Sequence, residues 1–160
     1  MMQEIKKNNW PKFCKKFSMD NQCRLVRINV MDKRNLYGGS TKESPFMGLL
    51  LEKKGRLIDG LSLYSAWVNP DKLTEPAASL KQPVKVLLEK DADGNDRKLV
   101  VYTNDGNTAT IEFLGEKNPH YLVEKVAYRI FEGRGMAHGN DMGDWFEAEK
   151  KIKEAEKQFV

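Results

Sequence analysis

His138, Asp141 and Asp144 form the one grouping in this 160-residue chain whose types and spacing suit acid–base chemistry. An imidazole beside carboxylates serves as a general base or a metal ligand, because it exchanges its proton near neutral pH. The same residues also have a plainer reading. They lie in GRGMAHGNDMGD, a Gly-rich joint between two helical segments. There His138 would hydrogen-bond the turn, Asp141 would cap the second helix, and Asp144 would favour its N-terminal dipole. That reading is preferred, so no catalytic residue is expected.

Other reactive patterns are weaker. GRGMAHG, from Gly133 to Gly139, follows a helix instead of a strand and lacks the Gly-Lys-Ser/Thr of a phosphate loop, so its glycines read as helix stops. DADGND, from Asp91 to Asp96, has neither the glycine nor the glutamate that a calcium loop needs at its sixth and twelfth positions, and reads as a hairpin turn. Cys14 and Cys23 with two distant histidines fall short of a zinc pattern. Two free thiols are the simplest reading, with a Cys14–Cys23 bridge as the minor alternative. His120 has no evident partner, and no serine nucleophile motif occurs. Neither an enzyme, a cofactor nor a metal is expected.

Charge offers a second candidate. Residues 1–60 carry 13 Lys/Arg against 6 Asp/Glu, whereas the remainder is slightly acidic. Lys6, Lys7, Lys12, Lys15, Lys16, Arg24 and Arg27 could therefore meet a nucleic acid. A solvated basic surface is the commoner meaning of such a bias. Trp67 and Tyr37, in polar loops, would either stack on a base or anchor a peptide, or else fold over an open end of the core.

The elements that must position these residues follow from periodicity. Trp10, Phe13, Cys14 and Phe17 recur at helical spacing, predicting a helix over 10–21 with Asn9 as its cap and Pro11 tolerated in its first turn. Strands are predicted at Arg24 to Val30, Phe46 to Glu52, Leu57 to Tyr64, around Val84 to Glu89, Leu99 to Thr103 and Ala109 to Leu114. Lys53-Lys54-Gly55, Asp93-Gly94-Asn95 and Asn104-Asp105-Gly106-Asn107 supply the hairpin turns. Residues 32–45 read as a long mobile loop, and 65–79 as an irregular connection. Past a boundary at Gly115 to Asn118, Asn118 caps and Pro119 opens a helix with a stripe of Leu122, Val123, Val126, Ala127, Ile130 and Phe131. A second stripe holds Trp145, Ala148, Ile152, Ala155 and Phe159.

The expected fold is α+β. An N-terminal helix and a small antiparallel SH3/Sm-like barrel of five or six strands fill residues 1–115, and a C-terminal helical hairpin fills 118–160. No apolar run suits a membrane span and the N-terminus lacks a signal-peptide core, so a cytoplasmic protein is expected.

Two resemblances accompany this reading. Trp10, Phe13, Gly48-Leu-Leu-Leu, Pro83 and Asp105-Gly106 with Ile111 and Phe113 make residues 8–114 similar to a bacterial family, the domain of unknown function numbered fifty-three thirty-five. Ala127-Tyr128, Gly135, His138-Gly139, Asp141, Asp144-Trp145 and Ala148-Glu149 make residues 120–152 resemble the short helical domain of unknown function numbered twenty-nine thirty-four. That likeness has departures at Phe131 and Met136-Ala137, and neither family implies an activity. The function expected is a non-enzymatic protein-binding or adaptor module; the alternative is a nucleic-acid binder using the basic N-terminal helix and an Sm-like barrel.

Overall fold

A computed structural model describes residues 2–32, 37–40, 43–66, 73 and 75–159. In chain order the elements are β1 (Met2–Ile5), α1 (Trp10–Asn21), β2 (Arg24–Met31), β3 (Tyr37–Ser40), β4 (Ser44–Lys54), β5 (Leu57–Ser65), β6 (Ala78–Lys81), β7 (Pro83–Lys90), β8 (Asp96–Thr103), β9 (Thr108–Lys117), α2 (Pro119–Gly133) and α3 (Asp141–Glu156). Short 3-10 turns, Lys7–Asn9 and Lys157–Phe159, precede α1 and follow α3.

Among the described residues the strands form one antiparallel nine-stranded sheet. Eight run in the order β1-β7-β8-β9-β2-β4-β5-β6, and β3 pairs β2 off that path. The fold is therefore α+β, but two expectations are corrected. The strand count exceeds five or six, because β1, β3 and β6 are four-residue strands of mixed or polar sequence. Backbone ladders need no apolar alternation, so periodicity does not reveal such strands. The sheet also does not close into a barrel. β6 runs straight into β7 through a corner at Gln82, whose φ is +51°, so the sheet curls back on itself. Yet β7 spends its free edge on β1, from Met2 opposite Glu89 to Ile5 opposite Val86, and the path ends at β1 and β6.

Two cores hold the chain. In the first, α1 lies across the curled sheet. Phe17, Phe46 and Phe113 meet with each pair of ring centroids 5.6 Å apart, among Trp10, Val26, Ile28, Leu99 and Ile111. The amide of Leu49 donates to Ser18 Oγ at 2.8 Å, and that hydroxyl donates back to the Cys14 carbonyl at 2.7 Å, suturing α1 to β4. The cap expected of Asn9 is absent: the preceding 3-10 turn leaves it at φ −96°, ψ −5°, and its side chain makes no capping bond. A capping side chain needs a non-helical backbone at its own residue. A bulge between Pro83 and Lys85 turns Val84 to solvent, whereas regular alternation along the strand would place it on one face with Val86 and Leu88.

The second core joins the terminal helices to the outer side of β4 and β5. Leu122 and Val126 of α2, Ala148, Ile152 and Ala155 of α3, and Phe159 pack on Cys23, Met47, Tyr64 and Ala66. β4 is buried from both sides, which is why it reads as a near-continuous apolar run. The amide of Asn118 donates to the Cys23 carbonyl at 3.1 Å where the chain enters α2. The hairpin thus docks on the sheet.

The turns follow their sequence. Gly55, Gly94 and Gly106 have φ of 66°, 86° and 88°, where a Cβ would be strained. The carboxylate of Asp91 accepts from the amides of Asp93 and Asn95, so DADGND binds its own turn. Part of the predicted 32–45 loop is β3, while residues 33–36 and 41–42 lie outside the described residues. Trp67 and the side chain of Tyr37 lie outside them also. Among the described residues no helix is long and apolar enough to cross a membrane.

Candidate functional site

The two C-terminal helices enclose a groove of about 480 Å³. α2 starts as its sequence demands: Asn118 Oδ1 accepts the Tyr121 amide at 3.0 Å and Pro119 occupies the first turn. It stops at Gly133. Gly135 follows at φ +76°, with its amide on the Glu132 carbonyl and the Met136 amide on the Phe131 carbonyl. This paired closure satisfies the last carbonyls and reverses the chain.

The reversal is locked by Arg134 and Asp144. Arg134 Nε donates to Asp144 Oδ1 at 3.1 Å, its Nη2 donates to Asp144 Oδ2, and Nη1 donates to the Ala137 carbonyl at 3.1 Å. Asp144 is only 4% exposed. A two-point guanidinium–carboxylate pair combines directionality with charge, which suits a buried clamp between helices. Asp144 is thus no mere surface ornament of the first helical turn, as its spacing had suggested. The cap expected of Asp141 is also corrected. Asn140 takes the cap position without a side-chain capping bond, and Asp141 is the exposed first residue of α3.

His138, Asp141 and Asp144 do share the groove's lining. The His138 ring sits 5.2 Å from that of Phe131, tilted by 45°, so it packs on an aromatic wall. Asp144 is committed to Arg134. No group of three His, Cys, Asp or Glu suited to a metal occurs among the described residues. His120, which looked partnerless, packs its ring 4.9 Å from that of Trp145. Trp145 is half-buried in the groove wall with Tyr128 and Phe131, so it is less of a core anchor than its stripe implied.

Sequence reasoning missed the exposed apolar residues of these two helices. Tyr128 is 53% exposed, Met142 73% and Phe146 61%. The signal lay in α3 itself: Met142 and Phe146 fall outside the stripe of Ala148, Ile152 and Ala155 that faces the sheet.

The basic candidates divide. Lys6, Lys12 and Lys16 line one concavity beside Asn9 and Phe13, with Glu4 among them. Lys16 also pairs with Asp20, which raises its pKa through a hydrogen bond and charge. Lys7 lies 5.7 Å over the Trp10 ring, and Lys15 lines a separate recess with Leu51 and Phe159. Arg27 pairs with Glu43 at 2.8 Å. Arg24 is structural. It donates to the carbonyls of Gly115 and Asp96 and to Asn21 Oδ1, and its guanidinium lies 4.2 Å over Phe113. Partial burial lowers its pKa against the pull of Asp96 and other acids.

Cys14 and Cys23 are free and buried. Burial pushes the Cys14 thiol up to about 12. It pushes Cys23 up to about 11, with Glu156 adding and Lys117 opposing. A thiol held protonated is a poor nucleophile.

Residues 121–154 match a family model described as "Protein of unknown function (DUF2934)". The match spans most of α2, the turn and most of α3, so the groove and its clamp lie within the matched stretch. No curated protein matches the chain.

Proposed function

We propose that this protein is a non-enzymatic binding or adaptor module whose C-terminal helical pair presents a protein-docking face. One observation carries the reading: Tyr128 of the groove lining and Met142 and Phe146 of α3 stand more than half exposed, while the same helices already bury a full stripe on the sheet. Their exposure therefore does not come from a missing core. Clustered exposed apolar side chains mark interaction sites, and a rigid helical pair is a common frame for them. The occupation of Asp144 by Arg134 argues against acid–base work at His138. Two buried free thiols fit a reducing compartment, which supports a cytoplasmic setting; a bacterial origin rests on the family resemblances alone.

The test is affinity capture with wild type against a Met142→Ser/Phe146→Ser variant, each captured protein then being purified and its binding measured directly. Loss of a purified partner's binding in the variant supports the docking face. Undiminished binding of every partner removes it.

A nucleic-acid role is the second reading, favoured by Lys6, Lys12 and Lys16 lining one concavity with Phe13. It does not draw on Arg24, whose Nε and Nη1 donate to partners within the fold. It calls for RNA or DNA binding that collapses between about 50 and 200 mM salt and weakens in Lys12→Glu/Lys16→Glu. Absence of binding at the lower salt would end it.

A further inference from the structure

We infer that the α2–α3 groove receives a cationic side chain, an arginine or lysine head, carried by a short basic and apolar segment of a partner protein. The inference rests on the docking role proposed above and gives that partner a chemistry.

The walls are aromatic. Tyr128, Phe131, His138 and Trp145 share the lining, with Tyr128 and Phe131 centroids 6.0 Å apart and Phe131 and His138 5.2 Å apart. Aromatic faces carry partial negative charge and attract a cation within about 6 Å of a ring centroid. The chain already uses this chemistry internally, with Arg24 over Phe113 and Lys7 over Trp10.

The rim is acidic. Glu124 and Asp141 are exposed carboxylates on the same lining. The first half of α3 carries Asp141, Asp144, Glu147 and Glu149 before its first base, Lys150. Arg134 neutralises Asp144 alone. The groove's own lysine, Lys125, has its Nζ 5.5 Å from the centre of the Tyr121 ring, which is not part of the lining. An anion would meet carboxylates here, and a purely apolar ligand would bury Glu124 and Asp141 without compensation. A guanidinium or ammonium satisfies rings and carboxylates together. Phe146 and Met142, exposed on α3, whose Asp141 and Trp145 line the groove, offer contact to apolar residues next to that cation and favour a peptide over a small free amine.

The experiment uses the full chain and three blocked peptides of equal length, each with leucines flanking a central arginine, citrulline or glutamate. Citrulline keeps the planar group and removes the charge. Affinity is measured by calorimetry, and position by the Trp145 indole N–H resonance, assigned with Trp145→Phe. The arginine peptide is expected to shift that resonance and to bind about tenfold more tightly than the citrulline peptide. The preference should vanish in Glu124→Gln/Asp141→Asn, and Glu124→Gln alone should reduce it should the Asp141 change disturb α3. Equal affinity for arginine and citrulline, with Trp145 shifting, overturns the cation and leaves the docking face standing. Binding that leaves Trp145 unmoved, or failure of all three peptides to bind, overturns the inference, while the Met142/Phe146 comparison judges the docking face separately.

Discussion

The ring of Phe159 lies directly on the bare backbone of Gly48. A Cβ built at Gly48 would come within 2.4 Å of the ring, closer than any real contact allows. Phe159 also meets Tyr64 edge-on at 5.2 Å, so the last described residue of the chain pins the C-terminal helices to β4 and β5. The relationship is steric, and it makes the two positions depend on each other.

Gly48→Ala should therefore destabilise the fold by about 1–3 kcal/mol, as overpacking does. Phe159→Ala should cost about 3–5 kcal/mol through a cavity. Because a smaller residue at 159 makes room for the methyl, Gly48→Ala combined with Phe159→Ala should cost less than the sum of the two single changes. Urea unfolding of the four proteins gives the coupling energy, and strict additivity would refute the contact.

The Arg134–Asp144 clamp predicts an asymmetry. Arg134→Met leaves a carboxylate buried without its partner and should cost about 3–5 kcal/mol. Asp144→Asn leaves a guanidinium that is about one-third exposed and can rehydrate, so its cost should be clearly smaller. Thermal unfolding of the two variants decides the order.

Alkaline stability should reflect the thiols. Both cysteines have folded pKa values above the ordinary 9.0, about 12 for Cys14 and about 11 for Cys23. The unfolded chain therefore loses these protons first, and the stability they hold below pH 9.0 drains away as pH rises towards 11 and 12. Cys14→Ala should lower stability near neutrality by leaving a small cavity but flatten the alkaline decline. Native protein should also react slowly with a thiol reagent at mild alkaline pH and rapidly once unfolded, with no disulfide by mass.

Glu156 follows the same rule as the thiols, in the carboxylate range. Burial raises its pKa against the pull of Lys117 and Lys153. A raised carboxyl favours the folded state fully below the unfolded pKa and progressively less as pH rises through the folded one. Glu156→Gln should accordingly raise the unfolding midpoint at neutral pH. The gain should vanish in acid, where wild-type Glu156 is protonated in both states. An equal gain at both pH values would remove the titration from the explanation.

Much of the architecture was legible residue by residue. The helical spacing of Trp10, Phe13, Cys14 and Phe17 marked α1 from end to end, and Asn118-Pro119 marked the start of α2, because local backbone preference and one buried stripe are enough to define a helix. The strands with apolar runs and Gly turns were found for the same reason. β1 was invisible: MQEI has no core-facing alternation, and its place is set by the unpaired edge of β7, some 80 residues along the chain.

The candidate site was legible only as a neighbourhood. The chain by itself determined that His138, Asp141 and Asp144 sit at a helical joint with glycines to end the first helix. Tertiary structure decided that Asp144 belongs to Arg134, that Phe159 rests on Gly48, and that Met142 and Phe146 face solvent. The division has a physical cause. Helix ends and turns depend on dihedral and hydrogen-bond preferences within a few residues, whereas burial and charge pairing depend on which surfaces meet after the chain has folded back.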